Sequence, residues 1–356
     1  MDRVRIGLLG CGTISQYAHI FALKKADVVE LTAVCEIADD LLREVSRRFD
    51  IPQAFSDFEM FLCEAEIDAV LIASADHDHV PQAIRSLQNG KHVLVEKPLG
   101  LNLEECRQLA RVVEETGLKL QVGNMKRFDP GIEFVHRFIS EDMGCRLSVS
   151  GWYCDTFYKD EIQRSLRLPV VRSAKQQGFD PAFKNDRKSY KLITHGIHLI
   201  DTLRYFGGEI VGLQARFASK YDALTWHGVL EFADGATGHF ELTTSVKMDW
   251  LEGFHVHGES GSVEVKSFLP IFNRPSEVRV FDAKRRAYRA PLCADSDAYE
   301  RQVEAFARSI INCQPASPSV YDGIADLAVI QAIQKSILTG RWTEVELESR
   351  AKPIPQ

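Results

Sequence analysis

The stretch Val4-Arg5-Ile6-Gly7-Leu8-Leu9-Gly10-Cys11-Gly12-Thr13-Ile14-Ser15 decides the fold. An apolar run of strand character enters a glycine turn, and a helical pattern opens directly behind it. The turn reads G-x-G-x-x-S, one residue away from the usual G-x-G-x-x-G/A. The first glycine permits the tight turn and the second lets the backbone approach a pyrophosphate. The third position needs only a small side chain for helix–strand packing, which Ser15 supplies. Amide groups at the start of the following helix then face the anion.

Working outward, strand-like runs recur at Val29–Cys35, Ala69–Ala73, His92–Glu96 and Lys119–Val122. Helical stretches at Gln16–Lys25, Asp39–Phe49, Pro81–Gln88 and Leu103–Thr116 separate them, and Asn89-Gly90 and Gly117 mark helix ends. Alternation at this spacing predicts βαβ units, hence an α/β, Rossmann-type, doubly wound parallel sheet over residues 1–122.

From residue 123 the texture changes. Gly123–Pro130 reads as a crossing between domains, followed by a helix at Gly131–Ser140 and a strand at Arg146–Tyr153. A charged stretch, Tyr158–Lys188, lacks strong periodicity and reads either as a substrate lid or as a solvated insertion. A helix is expected at His195–Phe206. Strand runs follow at Leu213–Ala218, Thr225–Phe232, Thr237–Thr244, Gly253–Gly258, Ser262–Lys266 and Glu277–Asp282, with hairpin signals at Asp234-Gly235 and Ser260-Gly261. Helices at Ala298–Asn312 and Asp322–Thr339 close the pattern. Residues 123–356 are therefore expected to form a second α/β domain with a large, mostly antiparallel open sheet. One face should lie under helices. The other must be buried too if it is apolar, and a partner subunit is then its expected cover, giving a homodimer or homotetramer.

The 356 residues suffice for two domains, and at 45% hydrophobic each can bury a core. A formal net charge of -7 provides no basic field for nucleic acid or an anionic membrane. No run approaches the roughly 20 apolar residues that span a bilayer. Met1-Asp2-Arg3 leads straight into a strand-like segment, so no secretory leader is expected. The eight cysteines are scattered without a CxxC pair and read as reduced thiols of a cytoplasmic protein, not as a disulfide frame or zinc site.

Glu36 follows the second strand at about the spacing of the ribose-binding carboxylate in dinucleotide folds. A carboxylate there accepts from ribose hydroxyls and repels a 2′-phosphate, so NAD is expected over NADP. Ligands in such sheets sit outside the carboxyl ends of the strands. Ser74, Asp76, His79, Glu96 and Lys97 follow two of those ends, and with Gly10, Gly12, Thr13 and Ile14 they form the expected cofactor set.

These motifs carry a resemblance. The fingerprint, the Ser74–His79 stretch, Glu96-Lys97-Pro98, Val122–Pro130, Gly196-Ile197-His198-Leu199-Ile200-Asp201 and Tyr321-Asp322-Gly323 together resemble the Gfo/Idh/MocA family of sugar and polyol oxidoreductases. The Gly123–Asp129 run is similar to that of inositol dehydrogenases. The resemblance implies that Lys97, from Glu-Lys-Pro, and His198, from an Asp-x-x-x-His element, act on the substrate. A histidine suits proton removal from a secondary alcohol as hydride leaves its carbon, and an ammonium stabilises developing alkoxide. Thr194 stands at the Asp position of that element, so His195 or Asp155 must substitute, or Lys97 must bear more of the load. Alternatively, activity is altered or lost. Lys126, Arg127, Trp152, Asp155, Thr194 and His195 are the expected substrate wall. His195, His198 and Asp201 share a helical phase, but no metal is expected there. The resemblance leaves two other outcomes open: an enzyme that holds NAD through net glycoside cleavage or epimerisation, and a non-catalytic nucleotide-binding protein.

Overall fold

The computed structural model describes residues 2–158, 161–162, 169–174 and 185–347. Its contacts gather into two compact units. One is Met1–Met125, Arg167–Asn185 and Tyr299–Ile324; the other is Lys126–Leu166, Asp186–Ala298 and Ala325–Gln356. The first unit thus takes in two later segments that a single boundary at 122 assigns to the second. Hydrogen bonds explain one of them: Val122 N–H donates to the Pro318 carbonyl (2.9 Å) and Gln121 Nε2 to that of Gln302 (3.2 Å).

In the first unit, Val4–Leu9 (β1), Val29–Cys35 (β2), Gln53–Phe55 (β3), Ala69–Ile72 (β4), His92–Glu96 (β5) and Leu120–Gly123 (β6) form one parallel sheet in the order β3-β2-β1-β4-β5-β6. Val4, Ile6 and Leu8 of β1 and all of β4 are buried, as a sheet covered on both faces requires. The connecting helices are Ile20–Lys25 (α1), Asp39–Arg48 (α2), Phe58–Glu64 (α3), His79–Gln88 (α4) and Leu103–Thr116 (α5). Strand order reverses between β1 and β4, the switch point at which such sheets open a crevice. The expected helix at Gln16–Lys25 differs in form: a wide π-type turn over Ser15–His19 precedes α1.

In the second unit, Pro130–Glu141 (α6) and Arg146–Thr156 (β7) are followed by Arg187–Gly207 (α7). The sheet is completed by Ile210–Lys220 (β8), Ala223–Phe232 (β9), Thr237–Val246 (β10), Leu251–Gly258 (β11), Gly261–Ser267 (β12), Glu277–Asp282 (β13), Ala287–Arg289 (β14) and Thr343–Glu344 (β15). Its order is β14-β13-β12-β11-β7-β10-β9-β8-β15, antiparallel except at β7–β10. Ala298–Ile311 (α8) and Val320–Thr339 (α9) are the last helices among the described residues. No described helix is long and apolar enough to cross a membrane.

Helix α7 crosses β7 at Gly151, where a Cβ would lie 3.1 Å from Leu199. It begins at Arg187, about two turns earlier than the expected start at His195, and is capped by Asp186, whose side chain accepts the Ser189 N–H (3.2 Å). The charged residues that obscure its periodicity are its solvated first turns. The sheet face away from α7 is mixed: Val229, Phe281 and Tyr288 are exposed beside His227, His239, Glu231 and Glu264. The apolar face on which a subunit cover was premised is therefore only partly present.

Candidate active site

In the first unit the fingerprint turn forms as a dinucleotide site needs. Gly10 has φ +96°, and a Cβ on it would lie 2.6 Å from the Ala73 carbonyl, so only glycine fits. A Cβ on Gly12 would meet no atom within 4 Å. Open space therefore lies at the second glycine, as a pyrophosphate-binding turn requires. Ser15 accounts for the departure from G/A: fully buried, its hydroxyl donates to the Gly10 carbonyl (2.7 Å) and closes the turn. The Glu36 carboxylate accepts the Cys11 N–H (2.9 Å) and the Ala38 N–H (3.0 Å), which aims it into the same crevice.

A cavity of about 290 Å³ results, lined by Gly10, Gly12, Thr13, Glu36 and Ser74 of the expected set, together with Ile37, Asp78 and Gln82. Asp78 and Gln82 are one helical turn apart and had a readable signal, since Asp78 lies within the Ser74–His79 stretch. The Ser74 hydroxyl donates to Gln82 (2.5 Å). Ile14, Asp76, His79, Glu96 and Lys97 are not among the lining residues. For His79 this is a correction. It is 1% exposed, and its Nδ1 donates to the Pro98 carbonyl (2.7 Å), so it holds the Lys97-Pro98 loop instead of facing a cofactor. Glu96 is likewise buried: one oxygen accepts from His19 Nε2 (2.9 Å) and the other from the Lys97 N–H (3.1 Å). Burial alone would raise this carboxyl, but the His19 hydrogen bond and the neighbouring Lys97 and His79 hold it below the usual carboxylate range. The Lys97 ammonium, half-buried, makes no ion pair or hydrogen bond among the described residues.

Part of the long charged stretch also belongs to this unit. Gln16 clasps Val171 through both its backbone groups (2.9 Å each), and Asp40 accepts from the Ser173 hydroxyl (2.7 Å) and the Ala174 N–H (2.9 Å). Arg48 donates to the Pro169 carbonyl (2.6 Å). Residues 169–174 therefore tie the helix after the glycine turn to the helix after Glu36. Of the expected substrate loop, residues 159–160, 163–168 and 175–184 lie outside the described residues.

In the second unit β7 and α7 build a polar cluster. His195 and Lys191 are one helical turn apart on α7, and Lys191 Nζ donates to His195 Nε2 (3.1 Å). That leaves Nδ1 as the protonated nitrogen, donating to the Tyr153 hydroxyl (3.1 Å). Asp155 Oδ2 lies 3.9 Å from both Lys191 Nζ and His195 Nε2. The His198 ring runs nearly parallel to Tyr153, at 7° and 6.1 Å. The structure thus brings together Asp155, His195 and His198 and adds Tyr153 and Lys191, two residues not foreseen. Thr194 does not replace the absent carboxylate: its hydroxyl donates back to the Tyr190 carbonyl (2.8 Å).

Three expectations for the substrate wall are corrected. Trp152 points to the sheet face away from α7, where it meets His255 edge-on at 4.9 Å; strand alternation puts Tyr153 on the site face instead. Arg127 is buried in a bidentate pair with Asp201, donating from Nη2 to Oδ1 (2.6 Å) and from Nε to Oδ2 (3.1 Å), and stacks 4.9 Å from the Tyr205 ring, so its guanidinium is taken up by the framework. The same pair engages Asp201, the third member of the helical phase shared with the two histidines. Lys126 is similarly engaged, with its ammonium paired to buried Glu252 and 4.8 Å from the Tyr153 ring centroid. Burial pushes the Glu252 carboxyl up, and Lys126 opposes that rise.

Comparison with known proteins matches these units to two family descriptions. Residues 4–124 match "Oxidoreductase family, NAD-binding Rossmann fold", and residues 170–264 match the GFO/IDH/MocA C-terminal domain. A scyllo-inositol 2-dehydrogenase (NAD(+)) of Bacillus subtilis is 26% identical, covering 97% of each chain. A D-xylose 1-dehydrogenase (NADP(+)) of Haloferax volcanii is 24% identical over 96% of this chain and 99% of its own. Among solved structures, a levoglucosan dehydrogenase in complex with NADH and L-sorbose shares the fold with a TM-score of 0.81 at 22% identity, covering 98% of this chain and all of that one.

Proposed function

The chain belongs to the GFO/IDH/MocA oxidoreductase family, and on that premise we propose that it is a dehydrogenase of a cyclic polyol, sugar or sugar derivative, with NAD as the preferred cofactor. The observation that carries this reading is the Lys97 ammonium at the carboxyl end of β5, without an ion pair among the described residues, in a unit whose glycine turn and Glu36 suit a dinucleotide. The inositol and xylose dehydrogenases above support the substrate class.

Gly10, Gly12 and Thr13 would hold the pyrophosphate and Glu36 the ribose hydroxyls, in place of the amide it now accepts from Cys11. A dinucleotide held there would supply the acceptor or donor of the hydride. His198 takes the hydroxyl proton in the oxidative direction and returns it in the other. Lys97 orients the reacting oxygen and stabilises its developing negative charge. The Asp155–Lys191–His195–Tyr153 cluster supports the reading that charge absent at Thr194 comes from the strand side, with Asp155 and His195 binding substrate hydroxyls. Eight cysteines, all free thiols, suit a reducing cytoplasm, and the hollow of about 400 Å³ at Gln214, Arg216, His227, Val229 and His239 on the open sheet face suits association of like subunits. The functional test is an absorbance screen for NADH or NADPH formation against inositols, aldoses, uronates and amino sugars. Turnover with an inositol or aldose and NAD is expected. Turnover without net NADH would instead favour an NAD-retaining reaction.

A further inference from the structure

We propose that His19 is a positioning residue for Lys97, acting through the buried carboxylate of Glu96; the inference rests on the reading of Lys97 given above. His19 ends the wide turn that follows the fingerprint, far in sequence from the Glu-Lys-Pro segment. Its Nε2 donates to one Glu96 oxygen at 2.9 Å, and the other oxygen accepts the Lys97 N–H at 3.1 Å. One carboxylate therefore joins the imidazole to the first amide of the loop that bears the ammonium. From the other side, His79 on α4 grips the same loop at the Pro98 carbonyl. The two imidazoles bracket Lys97-Pro98.

Packing alone does not account for a histidine at position 19. Its side chain is fully buried, with the Tyr299 ring edge-on at 5.4 Å, and its Nδ1 has no hydrogen-bond partner among the described residues. An apolar side chain would fill that space without an unsatisfied nitrogen. The whole polar investment of the ring is in Glu96. Glu96 packs against the β6 backbone where only glycine leaves it space, since a Cβ on Gly123 would lie 3.0 Å from its Cα and 3.4 Å from its Cδ. The groups that act on its charge are His19, Lys97 and His79, all favouring the ionised form against burial.

A carboxylate held below its ordinary range contributes stability that is present above that range and lost as pH falls through the folded-state value. Removing the His19 donor should raise the Glu96 carboxyl, so that loss begins at higher pH. His19→Leu is expected to lower kcat by about tenfold or more, the scale of a misplaced catalytic group, with NADH affinity changed less than about threefold. The acid limbs of both kcat and the thermal midpoint should move to higher pH. His19→Gln, whose amide can still donate, should restore most of the rate and the original limbs. In a Glu96→Gln background, where no carboxyl remains to titrate, His19→Leu should shift neither limb.

A purely packing role predicts parallel thermal-midpoint curves, no rescue by Gln, and additive effects with Glu96→Gln; any of these overturns the inference. If His19→Leu fails to fold, the comparison of His19→Gln with Glu96→Gln decides: the Gln variant must keep the wild-type limbs and Glu96→Gln must abolish them. Lys97→Met separates the two readings. Full turnover in Lys97→Met removes the proposed role of Lys97, whereas an inactive Lys97→Met beside a His19→Leu enzyme of wild-type rate and pH profile removes only that of His19.

Discussion

The two units build their sites from different materials. In the first, the cavity is framed by the main chain: Gly10 at φ +96°, the open side of Gly12, and amides that already hold Glu36. In the second, every group that matters is a side chain whose neighbours decide its job. Lys126 and Arg127 lie side by side in sequence with Asp155 and His195 as fellow candidates, yet buried carboxylates claim the first two and leave the others clustered together. Backbone-made sites follow from turn chemistry. Side-chain sites depend on which polar groups have been spent elsewhere.

Four expected outcomes put this contrast at risk, in descending order of effect. Lys97→Met should reduce kcat by about a thousandfold, the scale of a lost charge at the reacting oxygen, with thermal stability little changed. Arg127→Met should act in the opposite sense. By removing the guanidinium paired with the buried Asp201 carboxylate it should cost about 3–5 kcal/mol in denaturant unfolding, while any folded fraction keeps its substrate KM. A KM defect without loss of stability would return Arg127 to the substrate wall. Glu36→Ala should weaken NAD binding by about tenfold, the worth of a hydrogen bond to a charged group, and narrow the preference over NADP; titration by NADH fluorescence reads both. The smallest effect concerns the strand face. Tyr153→Phe, which removes the hydroxyl partner of His195, should lower kcat several-fold, whereas Trp152→Ala should leave it unchanged within about twofold. A reversed order would mean that the site lies on the other face of β7.

Much of the fold was legible because local signals agreed with the global pattern. β1, β2, β5 and α5 match their expected bounds residue for residue, and Gly117 closes α5 in the left-handed conformation. What escaped lacked a local signature. The strand Gln53–Phe55 is only three residues long, and the turn of helix from Phe58 is too short for periodicity, although Asp57 caps it. The first turns of α7 were hidden by their own charge.

At the site, the glycine turn and Glu36 were readable because residue type alone dictates their geometry. For His79, position after a strand suggests a cofactor contact, but burial decides what the imidazole does. Tyr153 was missed in favour of its neighbour because a strand's register, which sends alternate side chains to opposite faces, is not readable from one aromatic pair. Lys191 lies before the expected start of α7 at His195, so its helical phase with His195 carries no signal in the sequence.

The central claim is that a dinucleotide-binding unit presents Lys97 to a sugar or polyol alcohol. It is tested most directly by NADH formation when NAD and the inositol or aldose panel are added to wild-type protein and to Lys97→Met. Sustained NADH formation with at least one member of the panel is expected from the wild type and almost none from the variant. No NADH from the wild type with any member, or equal rates from both proteins, would contradict it.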